Sequence, residues 1–158
     1  MSQQLLRPLH KTQLQTILQT ISINGGNLVV NVGYANGGQG DPFFFIVSDD
    51  LNPNLEGGTQ WDSQTYYRAY RYILVGAFQY SIEGNPDNDK DALIDLYEET
   101  ILNILQSDTV RNQNTNWLDL IVNSVSNSFN PDPQQHDNFL YKTFIIEIRT
   151  PIYISNLS

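Results

Sequence analysis

The chain has 158 residues, about one domain's worth, and no cysteine, which excludes a disulfide framework, a thiolate metal site and a cysteine nucleophile. Eight basic against seventeen acidic side chains leave a net charge of -9, a balance that argues against binding a phosphate backbone, which needs clustered Lys and Arg. Apolar residues at 40% supply a core, while thirty Asn and Gln against 16% charged residues make a largely neutral, amide-rich surface.

The opening residues, MSQQLLRPLHK, lack an apolar signal core, and no run reaches the ~20 residues of a membrane span, so a soluble protein made inside the cell is expected. Residues 8–22 start with Pro8, suited to a first helical turn, and place Leu14, Ile17, Leu18 and Ile21 on one helical face. Gly25-Gly26 is read as the stop of that helix. In 27–34, Leu28, Val30 and Val32 alternate against Val29 and Asn31 as a short strand. The glycine-rich 35–42 reads as a turn and not a phosphate loop, because a strand, 43–47, follows it where a phosphate loop needs a helix.

Residues 48–65 form a long polar arm, of the length at which loops tend to be functional, with Leu51, Leu55 and Trp61 as candidate anchors on a neighbouring subunit. The run 66–82 alternates with a period of two, a half-buried strand in which Gly76 suggests a bend or bulge. Its Arg68 and Arg71 among tyrosines are too few for nucleic-acid stacking and read as cross-strand packing.

The strongest helical period lies in 87–106, where Leu93, Leu96, Tyr97, Ile101, Ile104 and Leu105 share a face. Seven of the seventeen acidic residues fall between Glu83 and Glu99. Residues 107–116 read as a polar connection, 117–129 as a strand in preference to a helix, and 130–138 as a proline-marked loop. The last strand is 139–149, with Pro151 weakening any continuation.

One motif carries a sharp chemical reading. Asp87, Asp89, Asp91, Asp95 and Glu98 match ligand positions 1, 3, 5, 9 and 12 of an EF-hand loop, an oxygen cage suited to calcium. Against it, position 6 is Ala92 where a sharp turn needs glycine, and strand, Gly and Pro precede the motif where a helix should enter. The preferred reading is an acidic helix start, with the carboxylates opposing the helix dipole. His10 and His136 stand in unrelated contexts without metal-ligand spacing, and Asp49-Asp50 reads as a turn. No catalytic residue, metal or cofactor is assigned, and the chain is not read as an enzyme.

Three groups of segments carry a family resemblance: RPLHKTQLQTILQTI at the start, YYRAYRYILVGAFQY and DALIDLYEETILNILQ in the middle, and YKTFIIEIRTPI at the end. In layout and texture they resemble the tail-terminator (tail-completion) proteins of tailed bacteriophages, the group of the minor tail protein U type, with which neck proteins share a fold. The resemblance implies an α+β fold: a mixed, mainly antiparallel sheet flanked by two main helices, about 8–22 and 88–106, in a single domain. It also implies a homohexameric ring in the virion that ends tube growth. The implied partners are the tail tube protein, head connector or neck proteins and, in a sheathed tail, the sheath protein. DNA passes through without sequence-specific binding, and no membrane is involved. Asp49, Asp50, Asp87, Asp89 and Asp91 are candidates for an acidic lumen along which DNA slides without sticking. A neck adaptor or baseplate ring subunit is the alternative within this class. A calcium-binding module or small enzyme using the carboxylates from Asp87 to Glu98 is the alternative outside it.

Overall fold

The computed structural model describes residues 6–33, 42–49, 59–60, 65–81, 88–113, 117–130 and 137–153. The first helix, α1, spans Leu6–Leu18 and buries His10, Leu14 and Leu18, a four-residue spacing that makes one helical stripe. It ends earlier than the periodicity suggests. The Thr20 N–H and hydroxyl both turn back to the Ile17 carbonyl, at 3.2 and 2.6 Å, and the β-branched residues beyond favour extended backbone. Ile21 is buried all the same, held by the Leu28 N–H on its carbonyl at 2.9 Å.

The glycine pair does not stop the helix. Asn24 (φ 53°) and Gly25 (φ 80°) form the two-residue loop of a hairpin between β1 (Ser22–Ile23) and β2 (Gly26–Asn27). Asn-Gly is the pair that tolerates two left-handed residues in such a loop.

After β3 (Val30–Val32) and β4 (Phe43–Ser48) come β5 (Thr59–Gln60) and β6 (Thr65–Ser81). The helices α2 (Asn88–Leu105) and α3 (Asp108–Arg111) follow, then the strands β7 (Asp119–Asn130) and β8 (Asp137–Tyr153). The main sheet runs β3-β4-β6-β8-β7, with β5 also on β6. Among the described strands only β3 and β4 are parallel, so the sheet is mixed and mainly antiparallel, and the chain is an α+β domain as expected. Its spine is the β6–β8 pair, in register from Thr65↔Tyr153 to Ser81↔Asp137.

Strand register assigns the faces. Phe44, Ile46, Tyr72, Leu74, Phe78, Phe144, Ile146, Ile148 and Leu120 lie on one face and form a single core with Leu14 and Leu18 of α1 and Ile94, Tyr97, Ile101 and Leu105 of α2. Both main helices therefore cover the same side of the sheet. On α2 the buried row is centred on Ile94, Tyr97, Ile101 and Leu105, which leaves Leu96 46% exposed, against its expected place on the apolar face.

Two more local readings are corrected, and the strand expected over 117–129 is found as β7. The 107–116 connection contains α3, a single turn whose Val110 carbonyl accepts the buried Trp117 indole N–H at 2.8 Å. In β7 a register shift between Val122 and Ser124 moves the core-facing parity from Leu120 and Val122 to Val125. That change of parity gave the segment its half-helical period. Lastly, β8 continues through Pro151. The Arg149 carbonyl accepts the Leu118 N–H on the β7 side, so Pro151, two residues on, directs its nitrogen to that side beyond the last β7 partner, where no ladder donor is needed.

Gly76 is likewise no bulge: β6 pairs without a break on both sides of it. Its cross-strand partner Phe44 lays its ring over the bare Cα, and a Cβ there would stand 2.4 Å from the ring. Gly76→Ala is expected to lower stability by about 1–3 kcal/mol through overpacking, with Phe44→Leu in the same chain recovering part of it, as measured by urea unfolding.

Candidate functional site

The most elaborate side-chain cluster lies where α1 meets the middle of the sheet. His10 stands on the buried stripe of α1, one turn before Leu14, and is fully buried. Its Nδ1 is 2.6 Å from the Tyr72 hydroxyl on β6, and its Nε2 is 2.9 Å from the Thr150 hydroxyl on β8. The rings of Tyr70, Tyr72 and Trp117 stand edge-on around the imidazole, with centroids 5.4, 5.6 and 6.2 Å away. The Arg7 guanidinium lies over the Tyr70 and Tyr72 rings, at 5.3 and 5.5 Å, and its Nη1 donates to the Arg71 carbonyl at 3.1 Å.

Burial, and secondarily the Arg7 charge, push His10 down to about 4, so the ring is neutral at pH 7: one nitrogen donates and the other accepts. Burial pushes the Tyr72 hydroxyl up, against the opposing pull of Arg7. A histidine between two hydroxyls has the outline of a base beside a nucleophile. Here the imidazole is a weakened base, and neither it nor Tyr72 is open to a substrate. The arrangement ties α1 to two central strands at once.

The ion pairs are also structural in placement. Lys142, buried on the helix-covered face of β8, meets Glu98 of α2 at 3.0 Å. Arg111 of α3 meets Asp119 at 3.0 Å, and the same carboxylate oxygen accepts the Leu120 N–H. On the opposite face of the sheet, Glu147 sits between Arg71 and Arg149, at 3.5 and 3.0 Å.

The calcium-like motif does not form a loop. Asp89, Asp91, Asp95 and Glu98 lie within the continuous helix α2, and Asp87 lies outside the described residues. A helix spreads such residues around and along its axis, whereas an EF-hand loop wraps them about one point. Glu98, the would-be bidentate ligand, is occupied by the Lys142 ammonium. Among the described residues, no group of three or more His, Cys, Asp or Glu gathers to hold a metal. Millimolar calcium is therefore expected to leave the melting temperature unchanged; a clear upward shift would show a site that binds the folded state.

Of the acids assigned to a lumen, Asp91 is exposed on α2, Asp89 is in that helix's first turn, and Asp49 follows β4 with its N–H on the Arg71 carbonyl at 3.1 Å. Asp50, the anchors Leu51, Leu55 and Trp61, and His136 lie outside the described residues. The His10 cluster escapes a reading based on metal spacings and nucleophile motifs. Its signal is positional: His10, Leu14 and Leu18 repeat every four residues, and Tyr72 and Thr150 share the core-facing parity of their strands.

No protein-family model matches the chain, and no curated protein matches it either. No described helix is long and apolar enough to cross a membrane.

Proposed function

We propose that this protein is a structural virion component of a tailed bacteriophage, closing the end of the tail tube as a hexameric ring and joining it to the head connector. The observation that carries the reading is the layout. An N-terminal helix, short strands, a long central strand, one acid-started helix and two closing strands follow the order of the tail-terminator proteins that the sequence resembles. The sheet is mixed and mainly antiparallel and carries two main helices, as that resemblance implies, and both helices lie on one side of it.

The architecture suits assembly. At the sheet margin β7 is a twelve-residue strand with polar, exposed residues such as Asn123, Ser124 and Asn127, paired on one side only among the described strands. An edge of this length is a template for strand addition by a neighbour, with the bulge after Val122 limiting indiscriminate pairing. The net charge of -9 suits a channel through which DNA must move without adhering. In this reading the tail tube protein meets one ring face and neck proteins meet the other. A neck adaptor or baseplate ring subunit would share the subunit design and differ in its partners.

Negative-stain class averages of the purified protein test the proposal. Six-fold rings with a central hole are expected, and a uniform field of single-domain particles would count against it.

A further inference from the structure

The basic residues divide into two groups. Of the seven whose side chains are described, Arg71, Arg111, Lys142 and Arg149 each meet a carboxylate. Arg7, Lys11 and Arg68 form no ion pair among the described residues, and the buried Arg68 Nε has no hydrogen-bond partner among them either. These three gather in one place. Arg7 and Lys11 are one turn apart on α1, and Arg7 covers the Tyr70 ring. Arg68 precedes Tyr70 by two residues on the same face of β6 and pairs in register with Thr150, which bonds His10. In a chain of charge -9, a cluster of three cations with no ion pair among the described residues suits recognition of an anionic group.

The complementary surface is on the same polypeptide. On α2, Asp91, Asp95 and Glu99 recur every four residues on the solvent side, a stripe about 12 Å long at the helical rise. The exposed Leu96 lies beside them, an apolar centre for a contact with a charged rim. Within one subunit the two surfaces cannot meet. Glu98, in the middle of α2, is fixed to Lys142, whose register partner is Gly76, whereas the basic cluster surrounds Arg68. Eight residues of extended strand separate those positions, about 26 Å, well past the screening length at physiological salt.

We propose that the Arg7–Lys11–Arg68 cluster of one subunit receives the Asp91–Asp95–Glu99 stripe of a second copy of this chain. The two patches lie on separate parts of the subunit, so the contact repeated head to tail is heterologous and builds a ring or a filament, in keeping with the ring proposed above. A nucleic acid is the poorer fit, since three cations face the repulsion of the whole acidic surface. The inference rests on the ring-forming part of the function proposed above and assigns its contact residues.

Charge reversal tests it by sedimentation velocity. The variant Asp95→Lys/Glu99→Lys carries two basic surfaces, and Lys11→Glu/Arg68→Glu carries two acidic ones; the reversed positions on α2 are solvent-exposed, so that variant keeps the fold. Each variant alone is expected to lose at least tenfold in self-association, and high salt should weaken the wild type in the same direction. Mixing the two variants should restore assembly with the species alternating, which an unfolded variant could not do. Wild-type assembly that both variants reproduce unchanged would overturn this contact and leave the ring reading standing. A wild type that never self-associates would overturn both.

Discussion

Lowering the pH from 7 to below 4 is expected to cost this protein about 3 kcal/mol through His10 alone. In the unfolded chain the imidazole takes up its proton near 6.5; in the folded chain it does so near 4, because the ring is buried and Arg7 stands beside it. Between those values the unfolded state binds more protons, so stability falls as pH falls. The contribution is complete above 6.5 and fully lost below 4. The described groups facing the ring are Arg7 on its own helix, Tyr70 and Tyr72 on β6, Trp117 before β7 and Thr150 on β8; none of them is a carboxylate that could hold the imidazolium. His10→Gln keeps an amide that can donate and accept but cannot titrate. Urea unfolding of both proteins across this range should show the wild type losing about 3 kcal/mol more than the variant, since every other titrating group is common to both. Parallel profiles would mean that the imidazole is protonated without penalty, and that α1 is not held by a neutral ring.

The second large effect is an asymmetry at Lys142. Glu98→Ala leaves an ammonium that is 5% exposed without its carboxylate, whereas Lys142→Met removes the charge and keeps the apolar stem beside α2. Loss of one partner of a well-buried pair costs about 3–5 kcal/mol; Glu98 is itself 28% exposed, so the penalty here is expected at about 2–3 kcal/mol. Lys142→Met should cost clearly less, and Glu98→Ala in the Lys142→Met background should add little, as read from urea midpoints at neutral pH. Equal and additive losses would mean that water reaches the ammonium. The pair bears on the calcium question as well. A cation at Glu98 would have to displace Lys142 into a face of β8 lined by Phe144 and Ile146.

Much of the fold was legible because burial imposes periods. The two-residue period of 66–82 and 139–149 found β6 and β8, and the helical period found α1 and α2. Boundaries failed where another force intervened. Hydrogen bonds from Thr20 ended α1, an Asn-Gly loop competed with a glycine stop, and Pro151 fell where β8 has no partner on its nitrogen side. Gly76 shows the limit of single-strand reasoning, because its cause is Phe44, a residue 32 positions away whose ring occupies the place of a side chain. The His10 cluster needed three elements to be superposed. Thr150 is 140 residues from His10, and no spacing rule spans that distance. The acidic pattern from Asp87 to Glu98 was legible as chemistry and misleading as geometry, since the same spelling serves a loop or a helix start and the apolar row of Ile94, Tyr97 and Ile101 decides for the helix.

Native mass spectrometry of the purified protein decides whether the proposed ring forms. A dominant species of about 108 kDa is expected, six times the 18.0 kDa of one chain, dissociating as salt is raised. A single 18.0 kDa species at every concentration and salt would contradict it.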